Sequence, residues 1–118
     1  MVLVDTSVWV AHFRKSNSGL ALLLNSGQVF CHPLVVGELA CGNLEQRSEI
    51  LSLLRALPSV VVAEHNEVID FIENQRLMGK GLGFIDMHLI ASALMSRVNL
   101  WTFGRKMNQF AALLGLAH

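Results

Sequence analysis

At 118 residues, 53% of them hydrophobic, the chain holds enough apolar material for one domain spanning 1–118 and needs no linker. Nine basic and nine acidic side chains cancel, so any attraction for nucleic acid has to come from a local patch and not from overall charge. No apolar run reaches the roughly 18 residues of a membrane span, which excludes a membrane helix.

The start, Met1-Val2-Leu3-Val4-Asp5-Thr6-Ser7, reads as a central, doubly covered strand that ends at a polar rim. Helical apolar spacing follows from Val8 to Phe13, and Arg14-Lys15 come after it, where a secretion signal puts its charge first. Ser16-Asn17-Ser18-Gly19 breaks this helix, and Leu20 to Leu24 predicts a second. Gln28 to His32 is a short second strand feeding a helix from Leu34 to Gly42, with Pro33 in its first turn. An amphipathic helix is predicted from Asn43 to Leu57, then a strand at Val60-Val61-Val62-Ala63, then a helix capped by His65 or Asn66 and running to Leu77.

Gly79-Lys80-Gly81-Leu82-Gly83 is a loop; its lysine is out of Walker spacing and no strand precedes it, which argues against a phosphate cradle. Phe84 opens a strongly apolar helix to Arg97. Asn99 to Phe103 is a fourth strand, Gly104 turns the chain, a last helix carries Met107, Phe110, Ala111 and Leu114, and Leu116-Ala117-His118 is a candidate edge strand. Strands alternating with helices imply an α/β fold with a parallel sheet covered on both faces. Cys31 and Cys41 lack the second pair of a zinc site, and buried free thiols in a reducing cytoplasm are the expectation.

Three acids stand apart from the rest. Asp5, Glu38 and Asp86 each lie in an apolar stretch at the start of a helix or on one, with no Arg or Lys close in sequence. An ionised carboxylate is costly to bury unpaired, and oxygen ligands of this kind suit Mg²⁺ or Mn²⁺. On the residues alone a second reading stays open, in which these acids are unrelated helix caps; Asp5 is equally well placed as an N-cap or as a site residue at a strand end.

These same stretches resemble the PIN-domain ribonucleases, and among them the VapC-type toxins of type II toxin–antitoxin pairs. Val4-Asp5-Thr6-Ser7-Val8-Trp9, Val35-Val36-Gly37-Glu38-Leu39, Gly83 to Ala91 and Leu100-Trp101-Thr102 carry the likeness, in order along the full length. The resemblance implies a three-layer fold with a parallel four- to five-stranded sheet between helices. It implies Mg²⁺- or Mn²⁺-dependent endonucleolytic cleavage of RNA, neutralisation by a cognate antitoxin, a homodimer and a cytoplasmic setting. Carried over by position, Asp5, Glu38 and Asp86 match the family's metal ligands, and Thr6 or Ser7 its supporting hydroxyl.

One position departs from the pattern. Where the family carries a further acid after Trp-Thr, this chain has Gly104, which supplies no ligand; Asn108 is a candidate substitute. The alternative function is therefore a PIN-like module that binds RNA or antitoxin with impaired catalysis. Arg14, Lys15, Lys80, Arg105 and Lys106 are the candidate phosphate contacts. An aspartyl-phosphate receiver also begins with an acid at a strand end, but no second acid stands two positions after Asp5, and no Asp ends Val60-Val61-Val62. His88 is a candidate general acid or base, against the simpler reading of a hydrogen-bonded histidine.

Overall fold

A computed structural model describes residues 1–118 as three strands and seven helices. Strand β1 (Val2–Val4) lies in the middle of the sheet, between β2 (Val29–Phe30) and β3 (Asn99–Trp101), and both pairings are parallel. Successive strand residues face opposite sides, yet Val2, Leu3 and Val4 are each no more than 1% exposed. Both faces of the sheet are therefore covered, which is why this strand reads as an unbroken apolar run.

The sheet is narrower than the four or five strands expected. Ser59 bridges to Cys31 and Ala117 to Leu100, both parallel, but neither flanking segment becomes a strand. On one side the Val61 N–H turns to Ser96 Oγ at 2.8 Å, which ends the ladder after the Val60 N–H bonds to Cys31 O. On the other side, Leu100 alone exchanges hydrogen bonds with Leu116 and His118. The strands expected at Val60–Ala63 and Leu116–His118 are thus reduced to single bridges at the two edges.

Helices α1 (Thr6–Arg14) and α2 (Ser18–Asn25) follow β1; α3 (Pro33–Ala40) and α4 (Arg47–Ala56) follow β2; α5 (His65–Gln75) and α6 (Phe84–Ser96) precede β3, and α7 (Arg105–Leu113) follows it. Local chemistry sets these limits. Asn17 Oδ1 accepts from the Leu20 N–H to cap α2, and His32 Nδ1 accepts from the Leu34 N–H to cap α3, with Pro33 in the first turn. Helix α5 starts after Glu64, one or two residues before the expected cap, because the Glu67 carboxylate reaches back to the Glu64 N–H. Arg47 donates from both guanidinium arms to the carbonyls of Ala40 and Gly42, tying α4 to the end of α3.

Helix α6 is apolar nearly all round because it separates two cores. Leu89, Ile90 and Ala93 pack into the main cluster with the sheet, whereas Met87 and Ala91 join Ala63, Val68 and Leu77 in a smaller one beside α5. Of the two free thiols only Cys31 is buried; Cys41 stands exposed at the end of α3, contrary to expectation. No helix is long and apolar enough to cross a membrane.

Candidate functional site

Asp5 lies where β1 hands over to α1, and its backbone N–H bonds to Trp101 O on β3. By backbone it occupies the N-cap of α1, but its side chain makes no capping bond. Its carboxylate instead turns toward the end of β3, where Oδ2 accepts from Ser7 Oγ at 2.7 Å and from Thr102 Oγ1 at 2.8 Å. Those hydroxyls are themselves held: Ser7 Oγ accepts from the Phe103 N–H and Thr102 Oγ1 from the Gly104 N–H. Asp5 is 8% exposed, so its charge is supported by two hydroxyl donors and the positive end of α1. The Asp5 side chain thus does not serve as a cap and faces the strand ends instead.

Glu38 and Asp86 are reached from other elements. Thr6 Oγ1 donates to Glu38 Oε1 at 2.7 Å, joining the first turn of α1 to α3. Asp86, in the first turn of α6, accepts the Gly83 N–H on Oδ2 at 3.1 Å. The expectation that all three acids are buried fails for Glu38, which is exposed, and holds in part for Asp86, which is half-buried. On α3 the buried positions are Val35 and Leu39, and Glu38 leaves the helix on its open side. Nor do the acids form a finished cage: no three His, Cys, Asp or Glu side chains converge as a ready metal site.

One pattern is common to all three. Each carboxylate has one oxygen held by a hydroxyl or backbone N–H and keeps the other without a protein partner, and none bonds to a lysine or arginine. Hard, uncompensated oxygens of this kind fit a divalent cation of the Mg²⁺ or Mn²⁺ type.

Thr102 is the site residue that sequence reasoning passed over. It is 6% exposed and links Asp5 to the Gly104 backbone. The available signal was the strand-end position that had picked out Asp5. Gly104 itself is the N-cap of α7 with no side chain to cap it, and Asn108 is exposed and makes no side-chain hydrogen bond in this network.

The five candidate cations are all exposed, but they are not gathered together. Arg105 and Lys106 open α7 directly after Gly104, and the Lys106 side chain lies over Gly81 in the loop that carries Lys80. Arg14 and Lys15 sit at the other end of α1, about 14 Å of helix from Asp5 at 1.5 Å per residue. A cleft of about 430 Å³ between α3 and α4, lined by Cys31, His32, Val36, Arg55 and Leu57 among others, contains none of the three acids.

Profile comparison places residues 2–113 in the PIN domain family. The chain belongs to the PIN-domain family. This PIN-domain chain is 42% identical over 118 residues to Ribonuclease VapC32 of Mycobacterium tuberculosis, in strains CDC 1551 / Oshkosh and ATCC 25618 / H37Rv, covering 99% of this chain and 95% of that relative. Its fold also matches the crystal structure of PAE2754 from Pyrobaculum aerophilum, with a TM-score of 0.61 at 18% identity, over 92% of this chain and 77% of the other.

Beside the acids, the PIN fold here buries an imidazole. His32 is 1% exposed, and burial, with repulsion from His88 second, holds its pKa down to about 4 from the ordinary 6.5. His88 is lowered too, by burial and then by His65. Between those two pH values the unfolded chain carries a proton on His32 that the folded chain does not, so stability is lost as pH falls from 6.5 toward 4. Urea titrations at descending pH are expected to show this group contributing up to about 1.4 kcal/mol of loss per pH unit. His32→Asn, which can still accept a capping bond, is expected to flatten that slope; an unchanged slope would exclude His32 as its source.

Proposed function

We propose that the chain is a divalent-metal-dependent endoribonuclease of the VapC toxin type, working in the cytoplasm as a single domain and a homodimer, and neutralised by a cognate antitoxin protein. The observation that carries this reading is the shared state of Asp5, Glu38 and Asp86, each with one oxygen pinned and one free. The likeness to a relative named as a ribonuclease supports it from the side of sequence.

In this reading Asp5, Glu38 and Asp86 hold Mg²⁺ or Mn²⁺, and the chemistry such an ion supplies is activation of water and neutralisation of phosphate charge. The chain's own part is preorganisation. Ser7 and Thr102 fix the Asp5 carboxylate from two sides, Thr6 fixes Glu38, and the Gly83 N–H fixes Asp86, so little reorganisation is left when RNA arrives. Arg105, Lys106 and Lys80 take the phosphate backbone beside the acids, while Arg14 and Lys15 meet the same RNA only along the length of α1. A binding module without catalysis rests on Gly104 alone, and the three pinned acids favour the enzyme.

The test is cleavage of single-stranded RNA by the purified chain with Mn²⁺ or Mg²⁺, before and after a chelator. Cleavage is expected to vanish with the chelator, to return on adding the ion, and to fall at least about tenfold in Glu38→Gln, in line with the loss of a metal-site group. Cleavage that survives the chelator, or equal rates in Glu38→Gln, would sink the proposal.

A further inference from the structure

Each of the two acid-bearing helices α3 and α6 is also tied to a histidine with a buried, unpartnered ring nitrogen: Nε2 of His32, at the cap of α3, and Nδ1 of His88, on α6. Neither ring takes part in the hydrogen bonds around Asp5, Glu38 and Asp86. Buried polar atoms in native proteins are seldom unmatched, and where no protein group serves them an ordered water does.

The two nitrogens are complementary. His32 Nδ1 accepts the Leu34 N–H at 3.0 Å, so the neutral ring must carry its proton on Nε2, which makes the buried nitrogen a donor. His88 Nδ1 is an acceptor when that ring's proton sits on Nε2. Their ring centres stand 6.2 Å apart with planes at 68°. A direct N–H···N bond of about 3 Å would draw two imidazoles closer than that, and a separation of this size leaves room for one bridging water. Phe84 packs edge-on against His88, with centroids 4.7 Å apart, and limits how the ring can turn.

We propose that His32 and His88 are positioning residues, joined through one buried water from Nε2–H of His32 to Nδ1 of His88, and that this bridge sets the spacing of α3 and α6 and so of Glu38 and Asp86. The bridge stands on burial and ring geometry. Its consequence for Glu38 and Asp86 rests on the nuclease reading above. His32 acts twice in this arrangement, capping α3 with one nitrogen and reaching toward α6 with the other.

Two measurements test it. Nitrogen-15 spectra of the wild-type rings are expected to show His32 protonated on Nε2, His88 protonated on Nε2, and the His32 ring proton exchanging slowly and cross-relaxing with a long-lived water. A proton on Nδ1 of His88 would set two donors against each other and overturn the bridge. This measurement needs no variant, so it decides even if a substitution unfolds the chain.

Calorimetric titration with Mn²⁺ then reads the positioning role without RNA. His88→Leu is expected to weaken Mn²⁺ binding by about tenfold, the scale of outer-shell partners of a metal. His88→Asn, whose side-chain oxygen can accept in place of Nδ1, is expected to recover most of that loss; general loosening of the core would spare neither variant. Equal affinity in wild type and His88→Leu overturns the positioning role, as does failure of His88→Asn to recover. If the wild type binds no Mn²⁺, the nuclease reading and the positioning role fail together, and the ring spectra still decide the bridge.

Discussion

Asp5→Asn is expected to leave the fold intact and to lower metal-dependent RNA cleavage by about a hundredfold or more, the upper end of what even outer-shell partners of a metal are worth. The reason lies in how the carboxylate is held. Ser7 and Thr102 both donate to the same oxygen, Oδ2, so an asparagine can offer its one carbonyl oxygen to both and keep the turn between β3 and α7 closed. Its amide nitrogen then replaces the unpartnered oxygen, and a donor stands where a cation needs a lone pair. Because the change also removes a charge from a side chain only 8% exposed, the melting temperature is expected to hold or rise. Thermal melts beside cleavage rates check both halves: activity equal to wild type, with an unchanged melt, would remove Asp5 from the site.

Gly104→Asp is expected to act in the opposite direction, raising both Mn²⁺ affinity and the cleavage rate by about tenfold, the effect of about 1.4 kcal/mol of added attraction. The backbone there, at φ −69° and ψ 119°, accepts any L residue. A Cβ would stand 3.3 Å from Thr102 Oγ1 and 3.6 Å from Met107 Cβ, a tight contact that needs the threonine to give by a few tenths of an ångström. Position 104 is two hydrogen bonds from Asp5, through its own N–H and the Thr102 hydroxyl, so a carboxylate there joins the same cluster. It would also cap α7, worth only a few tenths of a kcal/mol over glycine. Titration with Mn²⁺ and single-turnover cleavage separate the outcomes. Should wild type bind RNA without cutting while Gly104→Asp cuts, the impaired-module alternative is correct; no change in either quantity would show that this position lies outside the site.

The sequence made the middle of the sheet legible and its edges less so. Val2, Leu3 and Val4 form a run with no polar interruption, and only a strand covered on both faces uses one. Val60, Val61 and Val62 carry the same β-branched signal, yet Val61 and Val62 are 52% and 47% exposed, because pairing there is decided by Ser96 Oγ, far along the chain. Asp5 was found from its place at a strand end, while Thr102 was missed for a physical reason: a threonine closing a strand is unremarkable until its hydroxyl is seen to face the carboxylate. Glu38 misled in another way. Apolar neighbours in sequence say that a helix is packed, and they do not say which of its sides is open, so an exposed acid looked buried.

The bond between Asp5 and Thr102 spans 97 positions, and the sheet's middle strand needs β3 on one side to be complete. During synthesis at about 5–20 residues per second, roughly 5–20 s therefore separate the emergence of the acid from that of the threonine that steadies it. A ribosome-bound fragment cannot assemble the cluster, since one wall of it has yet to be translated. Under the nuclease reading, a half-made copy is thereby spared from attacking the message that encodes it, and chain order alone supplies the delay.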